Sequence, residues 1–376
     1  MAIKMKKLLA AMLALIMVAT FVLTGCSSND LENQESNNGD GPLKIVLLVN
    51  GNLGDKSFFD SANEGLKQIK EKFEAETKVI EIGPDQMKWE SALADISEES
   101  WDIIICGTWQ MREYLEKIAP EHPEKKYILF DAAVDYEKGD FKNVYSINYK
   151  QNEGSFLAGA LAAKVTSSDM ALVNEEKIIG FVGGADTPVI NDFLVGYIRG
   201  AQYVDSEVKV AISYIADFFD TAKGKEMALA QYNQKADIVF PVASQAGLGA
   251  LDAAKSEQGY AIGVDSDQSM LFKDLDEEKA NLILSSVLKR VDNSLVRAIE
   301  LETQGKLQWG TAESLGLKEE SVVLAKNELY DKNVPEDFKA LIEELSQKII
   351  SGEIEVESAL GMETETLNDI RNSVKP

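Results

Sequence analysis

Residues 44–60 read KIVLLVNGNLGDKSFFD and contain the three parts of an α/β unit. After Lys44 the stretch begins with five apolar residues, as expected for a strand that is buried on both faces. The glycines that follow permit a tight turn, and Asp55 or Ser57 can cap the helix that comes next. A buried strand therefore runs into a polar turn and then into a helix.

The same order repeats along the rest of the chain. Helices are indicated where apolar residues return at spacings of three and four, as at Phe338, Leu341, Leu345 and Ile349. Repeated strand–helix–strand order predicts right-handed crossovers and mainly parallel, doubly wound sheets. A body of about 330 residues exceeds one typical core, so two α/β lobes are expected. The predicted strands are 44–50, 78–83, 102–107, 127–132 and 144–149 in one series, and 178–184, 208–215, 237–243, 260–266, 281–287 and 321–327 in the other.

The start of the chain has the pattern of a targeting sequence. A lysine-containing start and the apolar run 8–23 predict a signal peptide over residues 1–25, because the run is short for a membrane span of about 20 residues. LTGC, residues 23–26, resembles the bacterial lipobox and implies that Cys26 becomes a lipidated N-terminus. The alternative is an uncleaved anchor helix with an incidental cysteine. Both interpretations place the globular part on the extracytoplasmic face of the cell membrane, with the polar residues 26–42 as a flexible linker.

Composition argues against several classes of function. The chain has 63 acidic and 38 basic residues and a formal net charge of −25 at pH 7, so nucleic acid is an improbable partner. It has one histidine, His122, and besides Cys26 one cysteine, Cys106. These counts argue against a histidine-based catalytic triad, a multi-histidine metal site and an intrachain disulfide. No metal or cofactor is expected.

In open α/β sheets, ligands bind beyond the carboxyl ends of the strands. Two lobes that face each other with these edges would form a cleft, so binding residues are sought where strands stop. After the first strand, the spacing of Phe59 with Ala62 and Leu66 assigns Phe59 to the core and leaves Phe58 to face the cleft. Other strand ends carry Trp109, Asp131, the glycines 183–184, Phe218 with Asp220, and Asp265 with Asp267.

Less specific interpretations exist for several of these residues. Asp131 and Asp265 are also suited to capping helices. The two glycines before a helix could cradle a phosphate, but a tight strand-to-helix turn is the preferred interpretation. This turn therefore gives no reason to expect a phosphate group on the ligand.

The chain from about Lys44 to Gly352 resembles the basic membrane protein family, the nucleoside-binding lipoproteins of bacterial ABC importers. The stretches that carry the resemblance are GDKSFFD (54–60), NYKQNEGSFLAGALAA (148–163), GFVGGADTPVINDFLVGYIRGAQYV (180–204), SYIADFFDTAKGKEMALAQY (213–232), GLGALDAA (247–254) and IGVDSDQ (262–268). The resemblance implies a type I periplasmic-binding-protein fold, in which two lobes joined by three crossings close on a ligand. The expected N-terminal lobe comprises 43–149 and 288–312, the C-terminal lobe 150–287 and 313–365, and the tail 366–376.

The resemblance also implies roles for site residues. Phe58 would form one side of an aromatic clamp on a purine base, and Phe218 the opposite wall. Asp265 would bind the ribose hydroxyls with help from Lys289, for which a solvated helix residue is the alternative. Asp131 would face the cleft, and Trp109 is expected near its mouth.

Two positions depart from the family pattern. The usual aspartate after the first strand and the asparagine after the clamp phenylalanine are replaced by Val49–Asn50 and by Phe59. Because these positions would touch the base, another base, a flavin such as riboflavin, or a different ribosyl compound stays open as the ligand.

The function expected from the sequence is that of a substrate-binding lipoprotein, not an enzyme. It would capture a nucleoside, a purine nucleoside in the first instance, and deliver it to an ABC permease driven by an ATPase. One alternative is a ligand sensor that uses the same closure. A less favoured alternative is an extracellular nucleosidase with Asp131 and Asp265 as a carboxylate pair.

Overall fold

The computed structural model describes residues 41–376. The expected signal peptide, the lipid attachment site Cys26 and nearly all of the expected linker lie outside the described residues. No helix within residues 41–376 has both the length and the apolar character needed to cross a bilayer.

The first sheet forms the N-terminal lobe and has the strand order β11-β5-β4-β3-β1-β2. All its strand pairs are parallel. Its central strands are buried on both faces, which explains their continuous apolar runs. The strands are β1 (Lys44–Val49), β2 (Glu76–Glu81), β3 (Ile103–Gly107), β4 (Lys126–Phe130), β5 (Val144–Tyr149) and β11 (Thr311–Leu315).

The second sheet forms the C-terminal lobe and has the order β12-β10-β9-β8-β6-β7. It is parallel except for β12, which pairs antiparallel with β10 at one edge. Its strands are β6 (Ile178–Gly183), β7 (Lys209–Tyr214), β8 (Ala236–Val242), β9 (Tyr260–Asp265), β10 (Ile283–Lys289) and β12 (Val322–Leu324).

Helices connect the strands and cover the sheets, as the repeated order predicts. The helices are α1 (Phe58–Phe73), α2 (Trp89–Glu98), α3 (Arg112–Ile118), α4 (Gln151–Thr166), α5 (Pro188–Val204), α6 (Thr221–Asn233), α7 (Ser244–Glu257), α8 (Gln268–Phe272), α9 (Glu277–Leu282), α10 (Val291–Thr303), α11 (Glu328–Asn333), α12 (Glu336–Ile350) and α13 (Thr364–Ser373).

Within residues 41–376 the chain passes between the two sheets three times. It passes from β5 to α4, from β10 to α10, and from β11 to β12. Residues 42–376 nevertheless form one unit. The expected architecture of two doubly wound lobes with three connections is confirmed.

The strand pairing moves two expected lobe bounds. Lys289 still belongs to β10 of the C-terminal lobe, so the bound at 288 lies inside that strand. The bound at 312 lies inside β11, which pairs with β5 in the N-terminal lobe. Strand β11 was not predicted, because TAESL is an edge strand in which exposed and half-buried side chains alternate and it lacks a continuous apolar run.

Residues 366–376, which were expected to form a tail, include regular secondary structure. This stretch contains most of α13, which buries Leu367 and Ile370 against the C-terminal lobe, and Val374, the residue after the helix, is buried as well. The backbone N–H of Val210, in the edge strand β7, also donates to the carbonyl of Val374 at 2.7 Å. Apolar residues spaced by three and four made this segment a helix with a packing face.

Candidate functional site

A cavity of about 390 Å³ lies where strand ends of both sheets meet. This volume falls within the range of small-molecule sites, about 300 to 1,000 Å³. All six side chains that the sequence analysis selected as ligand contacts line it. They are Phe58, Trp109 and Asp131 from the N-terminal lobe, and Phe218, Asp265 and Lys289 from the C-terminal lobe.

Five residues that line the cavity have positive φ angles, although none is glycine. They lie at or just after the ends of strands in both sheets. Such conformations cost about 1 to 3 kcal/mol each and cluster at functional sites. Here they turn the chain sharply at the cavity wall. The five are Thr108 (φ 74°), Asp131 (φ 64°), Ala216 (φ 60°), Ser244 (φ 47°) and Asp265 (φ 62°).

Lys289 is a buried cation at the end of β10. Its side chain is 2% exposed and forms an ion pair with Asp131 Oδ1. The ammonium also lies 5.4 Å from the ring centroid of Phe58, 5.1 Å from that of Tyr149 and 5.5 Å from that of Phe193. Burial raises the pKa of Asp131, and the charge of Lys289 opposes that shift.

These contacts bear on the alternative roles considered for Lys289 and Asp131. Lys289 ends a strand and is not a solvated helix residue. Asp131 accepts from Lys289 rather than capping a helix. The resemblance assigned Lys289 to assist Asp265, whereas the direct ion pair is with Asp131. Burial raises the pKa of Asp265, and the charge of Lys289 opposes that rise.

Asp265 is the buried carboxylate of the C-terminal lobe. Its Oδ2 accepts a 2.5 Å hydrogen bond from the hydroxyl of Ser57, which belongs to the other lobe. Within residues 41–376 no donor bonds to Oδ1. Burial raises the pKa of Asp265 to about 6, with Lys289 and Ser57 opposing the shift. The capping role falls to Asp267, whose side chain accepts from the backbone N–H of Met270 in α8.

Aromatic rings stand on both sides of the cavity. Phe58 lies 5.2 Å from Phe59 and 5.4 Å from Phe130, measured between ring centroids. Phe59 belongs to the core, as expected, and also lines the cavity. On the opposite lobe, half-buried Phe218 packs on Gly184, where an added Cβ would lie 2.3 Å from the Phe218 ring. Gly184 is therefore required for the position of this ring.

Trp109 is 47% exposed and lies in the wall of the cavity. It follows β3 and begins a short 3₁₀ turn, residues 109–111. An indole that is half exposed in a cavity wall agrees with the expected position near the mouth.

Asn50 and Thr108 form a polar pair at the ends of β1 and β3. The Asn50 side-chain amide donates to Thr108 Oγ1 at 2.8 Å. Asn50 is 4% exposed, and its Oδ1 is buried without a hydrogen-bond partner among the described residues. Both residues line the cavity. The sequence analysis noted Asn50 only as a departure from a family pattern and did not select Thr108, although the strand-end rule points to both.

Direct hydrogen bonds join the two lobes beside the cavity. The Ser244 hydroxyl donates to Asp55 Oδ2 at 3.0 Å, and the Ser266 hydroxyl donates to the carbonyl of Ser57 at 3.2 Å. Asp55 also accepts from the backbone N–H of Phe59 at the start of α1, while burial raises its pKa. These contacts define a closed arrangement of the lobes. Closure was expected from the resemblance, whereas the residues that make these contacts were not.

Comparison with known proteins places the chain in a family. The Bmp family model, described as ABC transporter substrate-binding protein PnrA-like, matches residues 43–359. Basic membrane protein A2 of Borrelia garinii subsp. bavariensis is 32% identical over 352 residues, which cover 91% of this chain and 95% of the relative. The ABC transporter nucleoside-binding protein BmpA of Lactococcus lactis subsp. cremoris is 29% identical over 373 residues, covering 94% of this chain and 100% of the relative.

Solved structures agree with this placement. An ABC transporter solute-binding protein from Aeropyrum pernix K1 superposes with a TM-score of 0.78 and 28% identity, over 89% of this chain and 97% of that chain. The structural relatives share the type I periplasmic-binding-protein fold. The chain belongs to the Bmp family of PnrA-like ABC transporter substrate-binding proteins.

Proposed function

We propose that this protein is the lipid-anchored receptor of an ABC importer and that it captures a purine nucleoside in the interlobe cavity. The observation that carries the proposal is the shared cavity, in which the Phe58 ring of one lobe and the Asp265 carboxylate of the other both line the wall. A nucleoside has the matching parts, a flat base and a sugar with two adjacent hydroxyls.

The sugar is assigned to Asp265. Its Oδ1 lacks a donor within the described chain, so it is available to accept from a ribose hydroxyl. Hydrogen bonds to charged groups contribute about 1.5 to 3 kcal/mol each. The ligand can also replace Ser57 at Oδ2, which would give the carboxylate both hydroxyls of a diol.

The base is assigned to Phe58, with Phe218 as the opposite wall. Stacking on an aromatic ring contributes about 1 to 3 kcal/mol per base. Asn50 Oδ1 then accepts from a ring or exocyclic N–H. The Thr108 hydroxyl, which already accepts from Asn50, keeps its hydrogen to donate to a neighbouring base atom. Purines offer a donor and an acceptor on one edge, and the combined contacts support micromolar or tighter binding.

Charge favours nucleosides over nucleotides. Among residues 41–376 the cavity wall carries the acids Asp131, Asp217 and Asp265 and one lysine, Lys289. That lysine is already paired with Asp131. A phosphate would enter a site with excess negative charge. The neutral sugar and base avoid this repulsion.

Two observations support delivery of the ligand to a permease: membership of a family of ABC transporter substrate-binding proteins, and hydrogen bonds that join the two lobes beside the cavity. Contacts from both lobes make ligand binding favour the closed form, which differs in outer surface from an open form. The membrane anchor is assigned to lipidation of Cys26, which would hold the receptor beside the transporter.

The proposal is tested by thermal unfolding and tryptophan emission of the mature chain after removal of copurified ligand. The panel contains inosine, guanosine, adenosine, cytidine, uridine, riboflavin and inosine monophosphate. Purine nucleosides should raise the melting temperature and change the emission of Trp109, whereas the monophosphate should not. A panel in which no nucleoside acts would refute the ligand assignment, and a response to riboflavin alone would replace it.

Two further experiments separate the competing functions. Chromatography of inosine incubated with the protein should show no released hypoxanthine, since turnover would indicate a nucleosidase. A deletion strain should lose uptake of labelled inosine. Unchanged uptake together with tight binding would instead indicate a sensor.

A further inference from the structure

The C-terminal helix α13 lies beyond the matched family region, which ends at residue 359. It nevertheless contacts the C-terminal lobe next to the ligand cavity. Its residue Arg371 is only 15% exposed in its side chain and points into a cluster of polar groups. We call Arg371, Asp186, Asn191 and Tyr214 the Arg371 cluster.

Arg371 makes a dense set of contacts in this cluster. Its Nη2 donates to Asp186 Oδ1 at 2.6 Å, to Asn191 Oδ1 at 2.7 Å and to the Tyr214 hydroxyl at 2.7 Å. Its Nη1 donates to Asp186 Oδ2 at 3.2 Å, which makes the Asp186 contact bidentate. The guanidinium also lies 5.1 Å from the centroid of the Tyr214 ring. A planar guanidinium suits such a combined pairing and stacking role.

The three partners of Arg371 come from three places around the end of β6. Asp186 lies in the turn 184–187 after β6, Asn191 in the first turns of α5, and Tyr214 at the end of β7. Asn191 donates in turn to Asp186 Oδ1 at 2.8 Å. Arg371 therefore links the turn 184–187 to α5 and to the end of β7.

The other side of this turn faces the cavity. Ala185 and Thr187, on either side of Asp186, line the cavity wall. The preceding Gly184 contacts the Phe218 ring so closely that an added Cβ would lie 2.3 Å from it. A displacement of the turn would therefore move the cavity wall and the support of Phe218.

We propose that Arg371 is a positioning residue, through which α13 holds the turn 184–187 in the shape that the ligand meets. The effect on affinity rests on the proposed function, whereas the bracing of the turn does not. A cavity wall needs support of this kind, because a mobile wall binds the ligand more weakly even when every residue that touches the ligand is still present.

The test compares full mature chains that carry Arg371→Ala, Arg371→Lys or Arg199→Ala. Arg199 is a matched control, because it lies on α5 and pairs with Glu357 but does not line the cavity. Amide hydrogen exchange over residues 183–192 measures how firmly the turn is held. Calorimetry with inosine measures the effect on ligand affinity. Arg371→Ala should speed exchange in 183–192 and raise the Kd for inosine about tenfold. Arg199→Ala should change neither, and Arg371→Lys should recover part of the loss.

If Arg371→Ala does not fold, Asp186→Ala replaces it, because this variant removes the partner on the turn and leaves the packing of α13 intact. Exchange over 183–192 that matches the wild type would overturn the proposal, whatever the ligand. Faster exchange with unchanged inosine affinity would overturn the positioning role. If the wild type binds no inosine, the proposed function fails, while the exchange result still supports or overturns the bracing.

Discussion

The hydroxyl of Ser57 in the N-terminal lobe donates a 2.5 Å hydrogen bond to Asp265 in the C-terminal lobe. The bond joins residues that are 208 positions apart in the chain and lies at the cavity. It links closure of the lobes to the carboxylate that we assign to the sugar. Ser57 thus occupies one of the carboxylate oxygens that a diol would use.

Replacement of Ser57 by alanine should shift the ligand-free protein towards an open form. The change removes a hydrogen bond to a charged group, a loss of about 1.5 to 3 kcal/mol, or roughly tenfold or more in the ratio of closed to open protein. Small-angle scattering should then show a larger radius of gyration. The control is Ser61→Ala, because Ser61 contacts Asp292 within the same lobe. Equal radii for the wild type and Ser57→Ala would contradict the assignment.

Replacement of Phe58 by alanine should weaken nucleoside binding by about 5- to 150-fold, since stacking contributes about 1 to 3 kcal/mol per base. Calorimetry with inosine measures the change. Phe73 supplies the control, because it ends the same helix and does not line the cavity. The clamp assignment fails if Phe58→Ala and Phe73→Ala bind inosine equally well.

Asn50 should favour a base that has an N–H group on the edge facing the Asn50 side chain. Its buried Oδ1 has no partner in the described chain, so a ligand without that donor leaves it unpaired at a cost of about 1 to 3 kcal/mol. The wild type should therefore bind inosine about tenfold or more tightly than purine riboside, which lacks the N1–H. Asn50→Ala should lose this preference. A preference that persists in Asn50→Ala would show that another residue reads the base.

The raised pKa of Asp265 predicts opposite effects of pH on binding and on stability. Because this pKa is about 6, inosine affinity should fall as the pH drops below 6, by up to about tenfold per pH unit, as the accepting carboxylate is protonated. The folded protein binds this proton more readily than the unfolded chain, so the contribution of Asp265 to stability rises as the pH falls from about 7 towards 4. Calorimetry and thermal unfolding between pH 5 and 8 measure both effects. Asp265→Asn should lack the inflection near pH 6, and an unchanged inflection in this variant would assign it to another group.

The sequence predicted most of the fold because its central strands are buried on both faces and therefore appear as continuous apolar runs. It failed where the elements are partly exposed. Edge strand β11 has a polar sequence, and α13 presents only a narrow apolar face with Leu367 and Ile370. Both elements are stabilised by contacts with distant parts of the chain: β11 pairs with β5, and the end of the α13 segment bonds to β7.

The candidate site was predictable where a residue directly follows a strand, as with Asp131, and where the resemblance named it, as with Phe58. The partners of these residues were not predictable. Lys289 pairs with Asp131 across 158 positions, and Ser57 meets Asp265 only because the lobes close. Such pairings depend on the relative position of two sheets, which no local pattern encodes.

The central claim is that Asp265 binds a ribose diol while the base lies on Phe58. Calorimetric titration of the wild type with inosine and with 2′,3′-dideoxyinosine tests it most directly, because the two ligands differ only in the hydroxyls assigned to Asp265. We expect micromolar or tighter binding of inosine and a Kd for the dideoxy compound that is about 100-fold or more higher. Equal affinity for the two ligands, or no binding of inosine, would contradict the account.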